Sequence, residues 1–343
     1  MRQQRNWGIT MPASMRDVAA LAGVSPRTVS NVVNDYVHVA PETRARVQRA
    51  IDKLDYRPSA AARHLRGSRT GLFALALPEI SAPYFAELAD LIERRASERG
   101  LTVLIDQTGG TRERELLVLD GYHSKVIDGL IFNPLSVTAH DLEARKLGFP
   151  TVLLGESVTA SDIIHVSIDN VAGALTATQH LLGTGRTKIA AIGALPQARI
   201  AGPAQRRTEG YREALLRAGL GYEHQLVLPT ARWSLAEGYR VAQQLLDGPA
   251  DIDALFCFND SLALGAMKAV TDRGLRIPED IAVVGWDNIE DAAYSTPTLT
   301  TIAPNKTAIA HAAVDLLLDQ LAGEHTATTE ILLDYHLAVR QSA

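Results

Sequence analysis

Hydrophobic positions along the chain follow two regimes. Up to about residue 55 they recur at helical spacing, and from residue 72 they bunch into short continuous runs. Between 15 and 22, Val18, Ala19 and Leu21/Ala22 fall on one helical stripe, Gly23 ends that helix at positive φ, and Val24 is expected under the turn. Ser25 then caps a second helix with Pro26 in its first turn, where a missing N–H costs nothing. Its inward face is Val29, Val32 and Val33; its outward face is read as Arg27, Thr28, Ser30 and Asn31. A third helix starting near 41–43 repeats the spacing with Val47, Ala50, Ile51 and Leu54.

The second regime begins with "LFALAL" (72–77) and "LTVLID" (101–106), with a helix expected between them from 83 to 99. It continues with "DGLIFN" (128–133), "TVLLG" (151–155), "KIAAIG" (188–193), "DALFCFN" (253–259) and "IAVVGW" (281–286). Runs of this length, separated by helical segments, are what parallel strands buried on both faces look like in βαβ units. Two doubly wound halves are predicted. Between the regimes, "YRPSAAARHLRGSRTG" (56–71) is basic, alanine-rich and poor in core formers apart from Leu65. So short a segment is a poor helix by itself but can fold against a partner.

Charge sharpens the division. Residues 1–70 hold twelve Lys+Arg against five Asp+Glu, while the rest of the 343-residue chain holds 22 against 34, so a basic module is attached to an acidic body. That asymmetry is expected of a chain whose front meets phosphates. One cysteine, Cys257, excludes an internal disulfide and fits a reducing cytoplasm. No run approaches the roughly 18 apolar residues of a membrane span, and residues 1–14 lack a signal-like apolar core.

A short helix exposing Arg, Thr, Ser and Asn at its start suits a major groove, since Arg pairs bidentately with guanine and Asn with adenine. Arg44 and Arg63 are expected to meet phosphates, and Leu65 to wedge into a minor groove. In the body, "DGLIFNP" and "DALFCFND" form a weak repeat that sets Asn133 and Asn259 at strand ends, where open α/β sheets take their ligands. Asp106, Asp169 (followed by Asn170), Asp287 (followed by Asn288) and Asn305 fall at comparable places, each equally suited to capping a helix. Tyr84 and Phe85, after the first strand, can cover the apolar face of a ligand. No phosphate-binding loop, G-x-S-x-G, HExxH or CxxC pattern occurs, so neither a catalytic residue nor a metal or cofactor is predicted.

From Met15 onward the chain resembles the lactose/galactose repressor family of bacterial transcription regulators. The residues that carry the likeness are "RDVAALAGVSPRTVSNVVN", "VAPETRARVQRAIDKLDYRPSAAARHLR" and the body behind them, in the family's order. The resemblance implies an α/β protein with an all-α helix–turn–helix head, a hinge helix, and a periplasmic-binding-protein-like body of two doubly wound parallel-sheet subdomains. The expected parts are an extension (1–14), the head (15–57), the hinge (58–70), and a body (71–343) divided into 71–170 with 303–328 and 171–302 with 329–343. It places Pro26, Arg27, Asn31 and Leu65 on operator DNA, and Arg207, Trp233, Asn259 and Asp287 on an effector. Proline at 26 has no side-chain donor, so shape or methyl contacts are all it offers. A cytoplasmic homodimer on pseudo-palindromic DNA, controlled by a sugar-like metabolite, follows. The alternative is a cytoplasmic sugar-binding protein without DNA function, against which the basic head argues.

Overall fold

A computed structural model describes residues 13–33, 36–56, 69–121, 126–145, 148–155, 158, 162–195, 202–249, 251–324 and 330–343, and they form two units that meet in sequence at 70/71. In the first unit, α1 (Met15–Ala22), α2 (Pro26–Val33) and α3 (Pro41–Lys53) enclose one small core centred on Val18, Val29 and Val47, which Tyr56 closes. Each helix end has a local cause. Ser14 Oγ accepts the Asp17 N–H at 3.3 Å while the Asp17 carboxylate takes the Ser14 N–H at 2.7 Å, a reciprocal cap on α1. Ala13 and Ser14, inside the segment expected to be an extension, thus already belong to the head. Gly23, at φ 64°, turns the chain out of α1 so that the Val24 N–H reaches the Ala19 carbonyl at 3.0 Å.

Two expectations for the head are corrected. Leu21 is 45% exposed, because at about 100° per residue it lies some 60° past Val18, outside the arc that Val18, Ala19 and Ala22 turn inward. Ser30 is buried rather than outward; at about 100° per residue it lies some 60° from Val33, on the flank of the helix's inward face.

The second unit contains two six-stranded sheets. β1 (Leu72–Leu77), β2 (Thr102–Gln107), β3 (Gly129–Phe132), β4 (Thr151–Leu154), β5 (Ile164–Ser167) and β11 (Glu330–Leu332) run parallel in the order β11-β5-β4-β3-β1-β2. β6 (Ile189–Ala194), β7 (Val227–Pro229), β8 (Ala254–Cys257), β9 (Ala282–Trp286), β10 (Thr300–Pro304) and β12 (Tyr335–Ala338) order as β12-β10-β9-β8-β6-β7, with β12 antiparallel. Against the first sheet lie α4 (Pro83–Glu98), α5 (Arg112–Leu119), α6 (Ala139–Glu143) and α12 (Lys306–Ala322). The second carries α7 (Asn170–Gly183), α8 (Pro203–Arg217), α9 (Leu235–Asp247), α10 (Asp260–Asp272) and α11 (Glu290–Tyr294). The central strands β1, β3, β8 and β9 are almost entirely buried, as continuous apolar runs require.

The chain changes lobe three times: after β5, after β10, and between β11 and β12. The last crossing corrects the expected division, which gave all of 329–343 to the second lobe. β11 pairs with β5 of the first lobe, and only the residues after it join the second. Strands of three and four residues with mixed burial, two residues apart, leave no pattern from which that switch can be read.

Candidate functional site

On the head, α2 presents Pro26 and Arg27 to solvent, with Thr28 and Asn31 half-covered. Ser25 is spent on capping: its hydroxyl accepts the Thr28 N–H at 3.1 Å and lies 2.9 Å from the Thr28 hydroxyl. Arg44 donates to the Tyr36 carbonyl at 2.8 Å, tying α3 to the segment before it. Arg63 and Leu65 lie outside the described residues.

In the body, a cluster forms at the C-terminal ends of the second sheet's strands. Arg207, projecting from α8, is buried. Its Nε donates to Asn170 Oδ1 at 2.7 Å and its Nη1 to the Phe258 carbonyl. The guanidinium carbon lies 3.9 Å from the centre of the Trp286 ring and 5.1 Å from that of Trp233. Stacking between aromatic faces holds the cation in a fixed plane. Trp233 is fixed by its indole N–H, which reaches the Gly193 carbonyl at 2.9 Å. Asn259 caps α10 by accepting the Leu262 N–H at 2.9 Å, and its amide reaches toward the Trp233 carbonyl at 3.4 Å.

Asp287 follows β9 in a turn where it and Asn288 both have positive φ, 110° and 50°. Its carboxyl is buried, and that burial pushes it well above the usual carboxylate range, with the nearby charges of Arg207 and Lys306 opposing. Asp260, beneath the same turn, accepts the Ile289 N–H at 2.9 Å and the Thr301 hydroxyl at 2.6 Å; burial raises it to about 7. The cluster therefore brings a plane-fixed guanidinium, a carboxyl and the half-buried Trp233 indole into one small volume, with Trp286 buried behind the guanidinium.

Arg207, Trp233, Asn259 and Asp287 are brought together as expected. Tyr84 packs against buried residues of both lobes and meets Phe85 edge-on at 5.3 Å. Asn133 is buried at the end of β3, facing Gly155. Asp169 and Asn305 act as caps, on the Ala172 N–H at 2.9 Å and the Ala308 N–H at 3.0 Å. Asp106 is not part of the cluster. It lies on the edge strand β2 in a surface depression with Leu104, Ile105, Arg114 and Leu117, because β2 lies on the outer flank of the first sheet. Trp286 is missed as a site residue because it reads as the end of an apolar strand, and of the strand-end pair Asp169 and Asn170 it is Asn170 whose side chain reaches Arg207.

A helical head built to enter a groove, joined to a two-lobed body with a polar and aromatic cluster at its strand ends, defines a ligand-responsive DNA-binding regulator. Residues 14–59 match the model described as bacterial regulatory proteins, lacI family, and residues 178–343 match the periplasmic binding protein-like domain. The ribose operon repressor of Escherichia coli is 36% identical over 318 residues, covering 90% of this chain and 93% of that protein. The regulator CelR of Thermobifida fusca is 36% identical over 337 residues, 95% of this chain and 96% of that one. Among solved structures, the lac repressor dimer bound to operator and the anti-inducer ONPF superposes with a TM-score of 0.83 at 29% identity, covering 96% of this chain and 99% of the other. The CelR–cellobiose complex gives 0.69 at 33% identity, covering 96% and 100%. The chain belongs to the lacI family of bacterial regulatory proteins: it is a sequence-specific DNA-binding transcriptional regulator and not an enzyme.

Proposed function

We propose that the chain is a cytoplasmic, homodimeric repressor that reads a pseudo-palindromic operator through α2 and changes its grip when a small sugar occupies the Arg207–Asp287 cluster. The observation that carries the sugar reading is the buried Arg207 guanidinium, stacked on Trp286 with Trp233 beside it and Asp287 within electrostatic reach. A fixed guanidinium and a carboxyl suit vicinal hydroxyls, and the half-buried Trp233 indole suits the C–H face of a pyranose or furanose. Relatives named for ribose and solved with cellobiose support the same class of ligand.

Arg27 and Asn31 read bases, Pro26 supplies shape, and Thr28 flanks them; Arg63 meets a phosphate and Leu65 opens a minor-groove step from the segment between the units. Homodimerisation is supported by the free edge of the first sheet. There Leu104, Ile105 and Leu117 stand 38%, 52% and 56% exposed beside Arg114, an apolar edge that a second copy would cover.

The test is titration of sugar into the operator complex, with D-ribose and cellobiose as first probes and the operator selected from random duplexes. Arg27→Ala should cost about 1–3 kcal/mol on the preferred duplex and relax one base position. Arg207→Ala and Asp287→Ala should keep wild-type operator affinity and lose the sugar response. A folded double variant with undiminished response places the effector elsewhere.

A further inference from the structure

The turn that presents Asp287 is held from both lobes. From its own lobe, Asp260 accepts the Ile289 N–H at 2.9 Å and Arg340 Nη2 donates to Asn288 Oδ1 at 2.6 Å. From the other lobe, Glu87 on α4 accepts the Glu290 N–H at 2.9 Å, and Lys306 at the start of α12 donates to the Asn288 carbonyl at 2.8 Å. Glu87 and Lys306 are also an ion pair with each other, with side chains only 29% and 13% exposed, so solvent screens the pair less than a surface bridge.

We propose that Glu87 and Lys306 form a latch from the first lobe that positions the Asp287 turn for its ligand, so that two residues outside the contact cluster govern effector affinity. The claim rests on reading Asp287 as an effector contact. Asp287, at φ 110°, sits in a backbone conformation that persists only where the surroundings over-determine it, and Asn288, at 50°, takes the left-handed turn that asparagine tolerates. Two of the polar contacts on this turn come from across the cleft, while the Asp287 N–H to the Ile302 carbonyl at 2.9 Å and the Asn288 N–H to the Thr301 hydroxyl at 3.4 Å join Asp260 and Arg340 within its own lobe. If the lobes part, the Glu290 N–H and the Asn288 carbonyl lose those partners together, and the turn keeps its own lobe's contacts alone, from Asp260, Arg340, the Thr301 hydroxyl and the Ile302 carbonyl. Lobe closure and a well-set Asp287 are then one event. A ligand that favours the closed lobes gains a preset carboxyl, and by linkage anything that weakens the latch weakens the ligand.

A plain structural bridge between α4 and α12 would predict something else: loss of stability, with the turn undisturbed. The Glu290 N–H separates the two, because its acceptor lies in the other lobe. Hydrogen exchange of residues 287–294, measured by mass spectrometry on the full-length chain without ligand, should quicken about tenfold in Lys306→Met and in Glu87→Ala, with the double variant no worse than either single one. Residues 241–247 of α9 should exchange as in wild type. Lys306→Arg, which keeps a donor and the charge, should restore protection. Unchanged exchange across 287–294 in both single variants overturns the latch whatever the ligand.

The affinity arm uses D-ribose, cellobiose and ONPG, scored by the rise in melting temperature. For any of these that binds wild type, Lys306→Met should weaken binding about tenfold and Lys306→Arg should recover it. Should Asp287→Ala abolish binding while Lys306→Met binds as wild type, the latch fails and the effector site stands. Should Asp287→Ala bind as wild type, the effector site fails, and exchange alone decides whether the turn is latched.

Discussion

Asp260→Asn is the perturbation for which the structure gives a sign and a size. The carboxylate accepts two hydrogen bonds, from the Thr301 hydroxyl and the Ile289 N–H, yet burial dominates and lifts it to about 7, with the charges of Lys306 and Arg340 opposing. An unfolded aspartate titrates near 3.8. Between those values the folded chain holds a proton that the unfolded chain has released, so stability falls as pH rises from about 4 to about 7, by roughly 1.4 kcal/mol per unit. Asparagine cannot titrate. It can still accept the Ile289 N–H through its oxygen and donate to Thr301, whose hydroxyl also lies 3.3 Å from the Ile302 carbonyl as an alternative acceptor. The variant should therefore gain on wild type by roughly 3 kcal/mol between pH 5 and pH 8, most of it below pH 7. Urea unfolding followed by emission of Trp233 and Trp286, both in the body, measures this at each pH. The difference isolates carboxyl 260 together with its coupling to Asp287. A difference that stays flat across the series would refute the buried, proton-retaining Asp260.

Three further outcomes are expected. Gly210→Ala would set a Cβ 2.1 Å from the Val171 carbonyl and 2.9 Å from the Leu175 amide nitrogen, backbone atoms that cannot swing away, so α7 and α8 must separate. Urea unfolding should show a loss of about 1–3 kcal/mol despite the better helix propensity of alanine; unchanged stability would mean the helices have room. Ser14→Ala removes the reciprocal cap on α1 and should destabilise the head by about 1 kcal/mol, seen as faster amide exchange in α1, with Ser14→Asp retaining most of the protection. Cys257 is fully buried and its thiol is pushed upward by burial, so it should react with a thiol reagent only when denaturant opens the body; rapid labelling in native buffer would contradict that placement.

What could be read in advance was whatever rests on local chemistry. Helix ends at Gly23 and Ser25, and strands such as 72–77 and 282–286, follow from one residue's backbone freedom or from an apolar run long enough to be buried on both faces. Arg207, Trp233, Asn259 and Asp287 came from a motif-level resemblance, and the fold does gather them. What stayed hidden depends on who stands opposite. Asp106 carries the same strand-end signal as Asn133, and only sheet order tells an edge strand from a central one. Ser30 reads as outward because serine is polar, whereas its place on the flank of the inward face leaves it buried. Glu87, Lys306 and Asp260 had no signal at all, since their importance comes from backbone groups 18, 29 and 203 residues away for Lys306, Asp260 and Glu87 respectively.

The threefold passage of the chain between the lobes also governs the order in which the body can be made. The first sheet takes its last strand from residues 330–332 and the second from 335–338, so until those residues are made each sheet has an unfilled edge. Neither lobe is a continuous stretch that could fold as it leaves the ribosome; the nascent body must wait with exposed β5 and β10 edges, the state in which sheets pair with the wrong neighbour. The head has no such debt, since among the described residues its core is drawn from 13–56 alone. A growing chain thus carries a finished DNA-binding module on an unfinished sensor, and a ribosome stalled before residue 330 leaves a head with no complete sheet behind it.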